Sequence, residues 1–270
     1  MFNRSLLYAV LTAIFLFLFQ INAPAQTEDR SKTINDLDSL KKQLIEKEKQ
    51  LLSPSAEDLA AYAEFLKQPN TGMIRLFPRG LYEDKLTIRG GGAYYSFSRL
   101  THEYGYGYDI AIDQNLAGDF NNRNRLSGFE PANREYVTPP IVENIFKTAS
   151  SGANYGFIAV LGSVPLEKVT LDHKAVKFLI DYHPPSAIKE VRAEQRRMLD
   201  FGIGKNGYSY KREATATQSF TYVLRSINFD YSDVLIAFRF VRWEKDGGAV
   251  ILWKMLKQFP RPELLRPITR

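Results

Sequence analysis

Apolar residues recur along this chain with two different periods, and the change-over falls near Gly72. From Ile34 to Leu52 the spacing is helical: Leu37, Leu44 and Leu51 stand seven apart, Leu40 lies three beyond the first, and charges fill the remainder. Lys47 interrupts the stripe. The segment therefore reads as a helix laid on the body or a solvated spacer, with weak self-association through residues 34–52 as the alternative. Ser53-Pro54 breaks the pattern, and Ser55 with Asp58 three residues on forms a capping-box variant. It opens a second helix with Leu59, Tyr62, Ala63 and Leu66 on one face, closed by Pro69 and Asn70-Thr71-Gly72. A helical hairpin is predicted.

Beyond Gly72 period two takes over. The predicted strands are Met73–Phe77, Lys85–Arg89, Ala93–Thr101, Tyr104–Gln114, Gly156–Val164, Ala175–Tyr182, Gly207–Arg212, Phe220–Phe229, Asp233–Glu244 and Ala249–Phe259. Asp246-Gly247 supplies a tight hairpin between the last two. Val234, Ile236, Phe238 and Phe240 then share a core face with Ile251, Trp253 and Met255. Gly156–Val164 is apolar on both parities, as a strand covered on two sides must be. One late helix runs from a Ser186 cap to about Leu199. Residues 115–155, rich in Asn, Arg, Gly and Ser, read as a long polar loop with one helical turn after Pro139-Pro140. Pro260, Pro262 and Pro267 keep the basic tail at 261–270 out of the sheet.

The start of the chain changes where the protein is expected to work. Arg4, the apolar run Leu6–Phe19 and Ala23-Pro24-Ala25 have the anatomy of a signal peptide (residues 1–25), with cleavage near Ala25. An extracytoplasmic protein, periplasmic or secreted, follows, with contact to a membrane only through that segment if it stays uncleaved. The chain has no cysteine, so thiol catalysis, disulfides and thiolate metal sites are excluded. With 44% apolar residues the composition is that of a globular protein, and the net charge of +6 is modest. It reads as the ordinary surplus of a solvated surface, with anionic envelope polymer or polysaccharide as the alternative for an exported protein and no nucleic acid.

Candidate chemistry is sparse. His102–Asp113 puts Tyr104, Tyr106 and Tyr108 on one strand face with Ile110 and Ile112. Turned outward they make a platform for sugar rings; turned inward they are core. Asp109 and Asp113 share the opposite face, but four residues of strand separate them by about 13 Å, where glycoside hydrolysis needs roughly 5 to 9.5 Å. Glu103, Asp109 and Asp113 are the acids an enzyme would use. Asp113, Asn115, Gly118 and Asp119 fit a calcium loop only partly, because Ala117 and Asn124 occupy ligand positions. Arg89-Gly90-Gly91-Gly92 lacks the Lys-Ser/Thr of a phosphate loop, and His102, His173 and His183 form no short ligand motif. No cofactor or metal is implied. On the last hairpin, Arg239 and Lys254 are expected directly opposite each other within an apolar collar that includes Trp243, a place for an anion or acidic polymer.

The expected fold is mainly β (α+β): an antiparallel β-sandwich or strongly bent sheet of about ten strands, preceded by the helical hairpin. The domains are the signal peptide, residues 26–70 with the hairpin, a β-rich domain at 71–260, and the tail. The leading functional expectation is an exported, non-catalytic binding or envelope-structural module. A carbohydrate-binding protein using Tyr104, Tyr106, Tyr108 or Trp243 is one alternative, and a hydrolase with carboxylates converging from several strands is another.

Overall fold

The computed structural model describes residues 29–79, 91–102, 107–116 and 141–266. The chain divides into two compact units, Met1–Leu51 and Leu52–Arg270. Helix α1 covers residues 29–52, of which 29–51 are the described part of the first unit, and its Ile34, Leu37, Leu40 and Leu51 are exposed. Among the described residues, no helix is long and apolar enough to cross a membrane.

The second unit is mainly β. Two short helices, α2 (Ala56–Ala61) and α3 (Ala63–Leu66), precede strands β1 (Thr71–Leu76), β2 (Tyr94–Tyr95), β3 (Ile110–Leu116), β4 (Ile141–Thr148) and β5 (Tyr155–Gly162). Helices α4 (Lys174–Asp181) and α5 (Ile188–Asp200) follow, then β6 (Ile203–Lys205), β7 (Tyr208–Tyr210), β8 (Glu213–Thr215), β9 (Thr221–Asn228), β10 (Ser232–Trp243) and β11 (Ala249–Phe259). The strands form a five-stranded sheet in the order β1-β11-β10-β9-β5, a four-stranded sheet β2-β3-β4-β8 and a β6-β7 ribbon. All paired strands are antiparallel.

Alternation along β9 and β10 decides what covers each face of the larger sheet. Tyr222, Leu224, Ile236 and Phe238 meet Ile110, Ile112 and Phe146 of the smaller sheet in one core. Val223, Ile227, Leu235 and Ala237 meet Val176, Leu179, Val191 and Met198 of α4 and α5 in a second core. The larger sheet is thus covered on both sides, as the doubly apolar run at Gly156–Val164 requires. In the first core Tyr222 stacks on Phe238 at 4.9 Å, and Phe146 meets both rings edge-on.

Local chemistry explains the helices. Ser55 caps α2: its Oγ accepts from Asp58 N at 3.1 Å and donates to Asp58 Oδ2 at 2.8 Å. Asp58 is also paired in bidentate fashion with Arg242 of β10, which holds its carboxyl below the ordinary carboxylate range. The segment Ala175–Tyr182, predicted as a strand, is helix α4. Its apolar residues suit either period, but the His173 ring accepts from Ala175 N at 3.3 Å, and Ala175, Val176 and Leu179 are buried on one helical face. Arg225 of β9 closes the other end, donating from Nη1 to the carbonyls of Leu179 and Tyr182. Its Nε and Nη2 bind both oxygens of buried Asp233, at 2.9 and 2.7 Å.

Other expectations shift. Residues 141–148, placed in the polar loop with a helical turn, are strand β4, whose Ile145 and Phe146 are buried between β3 and β8. Helix α5 is capped at Ala187 without a side-chain bond, not by Ser186. The tail satisfies it instead: Ile188 N donates to Leu265 O at 3.3 Å, and Leu265 N donates to Ser186 O at 2.9 Å. The β10–β11 hairpin keeps its predicted core face but not its register. Its turn closes with Glu244 N on Gly248 O, and irregularities follow Phe240 and Leu235, so Arg239 faces Leu252 and Lys254 faces Ala237. The predicted strand Lys85–Arg89 and the calcium-like residues 117–124 lie outside the described residues.

Candidate functional site

Glu103, Tyr104 and Tyr106 lie outside the described residues. The remaining nominated residues are scattered. Asp109 sits just before β3, wholly buried, and works as a hub. Its Oδ2 accepts from Phe97 N at 2.7 Å and from Ser96 Oγ at 3.4 Å, and its Oδ1 accepts from Asn228 Nδ2 at 2.8 Å. Burial pushes its pKa up to about 6, opposed by hydrogen bonds from Ser226, Phe97 N and Ser98 N. A carboxylate so enclosed cannot touch a substrate. Asp113 is half-buried and accepts from Lys147 Nζ at 2.7 Å.

Tyr108 does not continue the face of Ile110 and Ile112. Those two enter the core between the sheets, whereas the Tyr108 ring packs with Ala93 and Ala111 and meets Tyr94 edge-on at 4.9 Å. The alternation breaks at Asp109, whose side chain turns inward to bind the Phe97 amide. Burial raises the Tyr108 pKa, while a hydrogen bond with Ser150 and the charges of Arg212 and Arg79 lower it.

Trp243 is not part of a collar around Arg239 and Lys254: the irregularity after Phe240 turns it to the core face, where it packs edge-on against Phe240 at 4.8 Å. Arg239 and Lys254 share the helix-side face of the larger sheet and are diagonal neighbours. Each donates to a backbone carbonyl, Arg239 to Val164 O at 3.4 Å and Lys254 to Glu167 O at 3.2 Å. Burial lowers the Lys254 pKa. The three histidines serve the backbone: His102 Nε2 lies 2.8 Å from Arg75 O, His173 caps α4, and His183 Nδ1 lies 2.7 Å from Asp181 O. Among the described residues, no three His, Asp or Glu side chains gather as a metal site requires.

A different place collects unspent polar chemistry. A pocket of about 270 Å³ opens between α5, the start of β5 and the strand segment before β8. Tyr155, Met198, Arg192, Arg196, Arg212 and Ser150 line it, and among its described lining residues none is acidic. The helix supplies two of the guanidinium groups because Arg192 and Arg196 are four apart on one face. Helix α5 is fixed against the loop beneath it by Gln195, whose Nε2 donates to Gly152 O at 3.0 Å and to Asn154 O at 2.8 Å. Arg192 Nη1 adds bonds to Gly152 O at 2.5 Å and to Gln195 Oε1 at 3.1 Å.

Glu194, the acid nearest in sequence, is engaged elsewhere. It accepts from Tyr182 Oη at 3.0 Å and pairs with Arg197, while the Tyr182 hydroxyl lies 2.8 Å from that of Tyr155. Burial raises the pKa of both tyrosines. Among the described residues, Arg212 pairs only with the distant carboxylate of Glu213, at 3.9 Å, and its buried Nε has no hydrogen-bond partner.

A second hollow of about 460 Å³ shares Arg192 and Asn154 with the first. Phe229, Tyr231 and Leu264 give it an apolar character, and its Arg266 is matched by Asp230 at 2.7 Å. A third groove, about 490 Å³ along β4 and β8, mixes Lys211 with Glu143 and Glu213.

Sequence reasoning missed the pocket. The spacing of Arg192 and Arg196 was legible, but Arg212 and Ser150 reach it only through tertiary pairing. Comparison of the chain with protein-family models, with curated proteins and with solved structures finds no match.

Proposed function

We propose that the chain is an exported, non-catalytic binding module that works outside the cytoplasm after cleavage near Ala25. The observation that supports this reading is the division of its polar groups. Asp109 is consumed inside the core and Asp113 is tied to Lys147, so these two nominated acids serve the fold. In the hollows flanking Arg192, guanidinium groups stand beside apolar walls. Such a surface holds a ligand; it does not present an acid and a base across one bond. The two sheets, joined by a shared apolar core, are read with it as the layers of a β-sandwich.

Incubating the purified chain with anionic and neutral polysaccharides tests the function. The expected result is retention of an anionic polymer that is recovered chemically unchanged. Accumulation of shortened product that Asp113→Asn abolishes would overturn the reading.

A further inference from the structure

The arginine-lined pocket carries positive charge that no acidic side chain among its described lining residues answers. Three guanidinium groups, from Arg192, Arg196 and Arg212, border one concavity with no acidic side chain among its described lining residues. Like charges held together in a partly enclosed site repel more strongly than they would in open water. Neutralisation from the surroundings is incomplete. Glu194 points to Tyr182 and Arg197, Glu213 stands 3.9 Å from Arg212, and Arg196 makes no ion pair among the described residues.

The second observation is a buried donor without an acceptor. Arg212 Nε is shielded from solvent and has no hydrogen-bond partner among the described residues. The surrounding groups are meanwhile fixed in place: Gln195 and Arg192 are bonded to the Gly152 carbonyl, and the Tyr155 ring forms part of the wall. With Arg192 and Gln195 already held, part of the ordering cost of binding is met before a ligand arrives.

We propose that this pocket binds one oxyanion, a carboxylate or phosphate group, with Arg192, Arg196 and Arg212 as its cationic walls. The planar guanidinium fork matches both groups, whereas a neutral sugar hydroxyl leaves the charge unbalanced. The neighbouring hollow, with Phe229, Tyr231 and Leu264, then accommodates the less polar remainder of the molecule that bears the anion. The assignment rests on the binding-module reading and names the chemistry of its ligand.

Nuclear magnetic resonance of the arginine Nε–H groups in the full chain provides the test, with inorganic phosphate and acetate as separate probes at low salt. A saturable shift of the Arg212 Nε–H signal is expected with at least one probe, and the tighter one tells phosphate from carboxylate sources. Arg196→Gln and Arg212→Gln should each weaken that binding by about tenfold or more, through loss of a charge-assisted bond. Arg196 is exposed, so its variant should keep the wild-type unfolding midpoint and report on binding alone. No saturable shift with either probe, or affinities unchanged in both variants, would overturn the site. If anionic polymers still bind both variants as tightly as wild type, the pocket is wrong while the binding module stands. Turnover of a polymer would sink the module and leave the phosphate and acetate titrations as they were.

Discussion

Asp109 turns its burial into a pH dependence. Its ordinary value is 3.8 and the fold pushes it up to about 6, so the folded chain holds that proton more tightly than the unfolded chain does. The sign follows: its contribution to stability is fully present below the unfolded value and is lost as pH rises through about 6, a change of roughly 3 kcal/mol. The charge it then carries also acts on Tyr95, whose phenol is pushed up to about 12 by burial and by Asp109. Urea unfolding at about pH 4 and pH 7 should show this loss in the wild type, with a much flatter response in Asp109→Asn. Equal slopes in the two proteins would place the dependence elsewhere. The sequence nominated Asp109 for its chemistry but could not show its partners, because the Phe97 amide comes from a separate turn. A readable sign did exist on the other side. Ser226 and Asn228 continue the inward parity of Tyr222 and Leu224, and polar residues on a core-facing parity announce a buried network.

Elements were legible where one period dominated and ambiguous where two fitted. β9, β10 and β11 read plainly, because long alternating runs have only one sensible facing. Lys174–Asp181 admits both periods, and what decides for the helix lies partly outside it: the His173 ring at one end and the Arg225 guanidinium at the other. The hairpin register escaped for a similar reason, since its irregularities shift the pairing, and the one after Phe240 turns Trp243 onto the core face. Arg225 offers a test of how far α4 depends on its neighbours. Arg225→Met strands Asp233, whose pKa burial already raises against the pull of the guanidinium, and frees two helix-end carbonyls. Chemical denaturation should show a loss of about 3–5 kcal/mol. A loss below about 1 kcal/mol would mean that water reaches the pair and that α4 stands without it.

Across the whole molecule, the antiparallel β character followed from the alternation, but the arginine-lined pocket did not, because it is assembled from three separate stretches of chain. The shared core between the sheets makes a collective prediction. Phe146 of the smaller sheet touches Tyr222, Phe238 and Phe240 of the larger one, so Phe146→Ala should cost about 3–5 kcal/mol in equilibrium unfolding. A cost under about 1 kcal/mol would show that the two sheets do not rely on that layer. One further stretch links them through backbone alone. Lys211 exchanges hydrogen bonds with Ile158 of β5 at 2.7 and 3.0 Å, and the next residue, Arg212, accepts from Thr148 N of β4 at 3.0 Å. Residues 213–215 then run along β4. Two neighbouring residues therefore stitch the margins of both sheets, occupying amide groups that would otherwise invite a strand from a second molecule. Breaking that stitch should be felt first as clumping of folded protein, before any fall in its melting point.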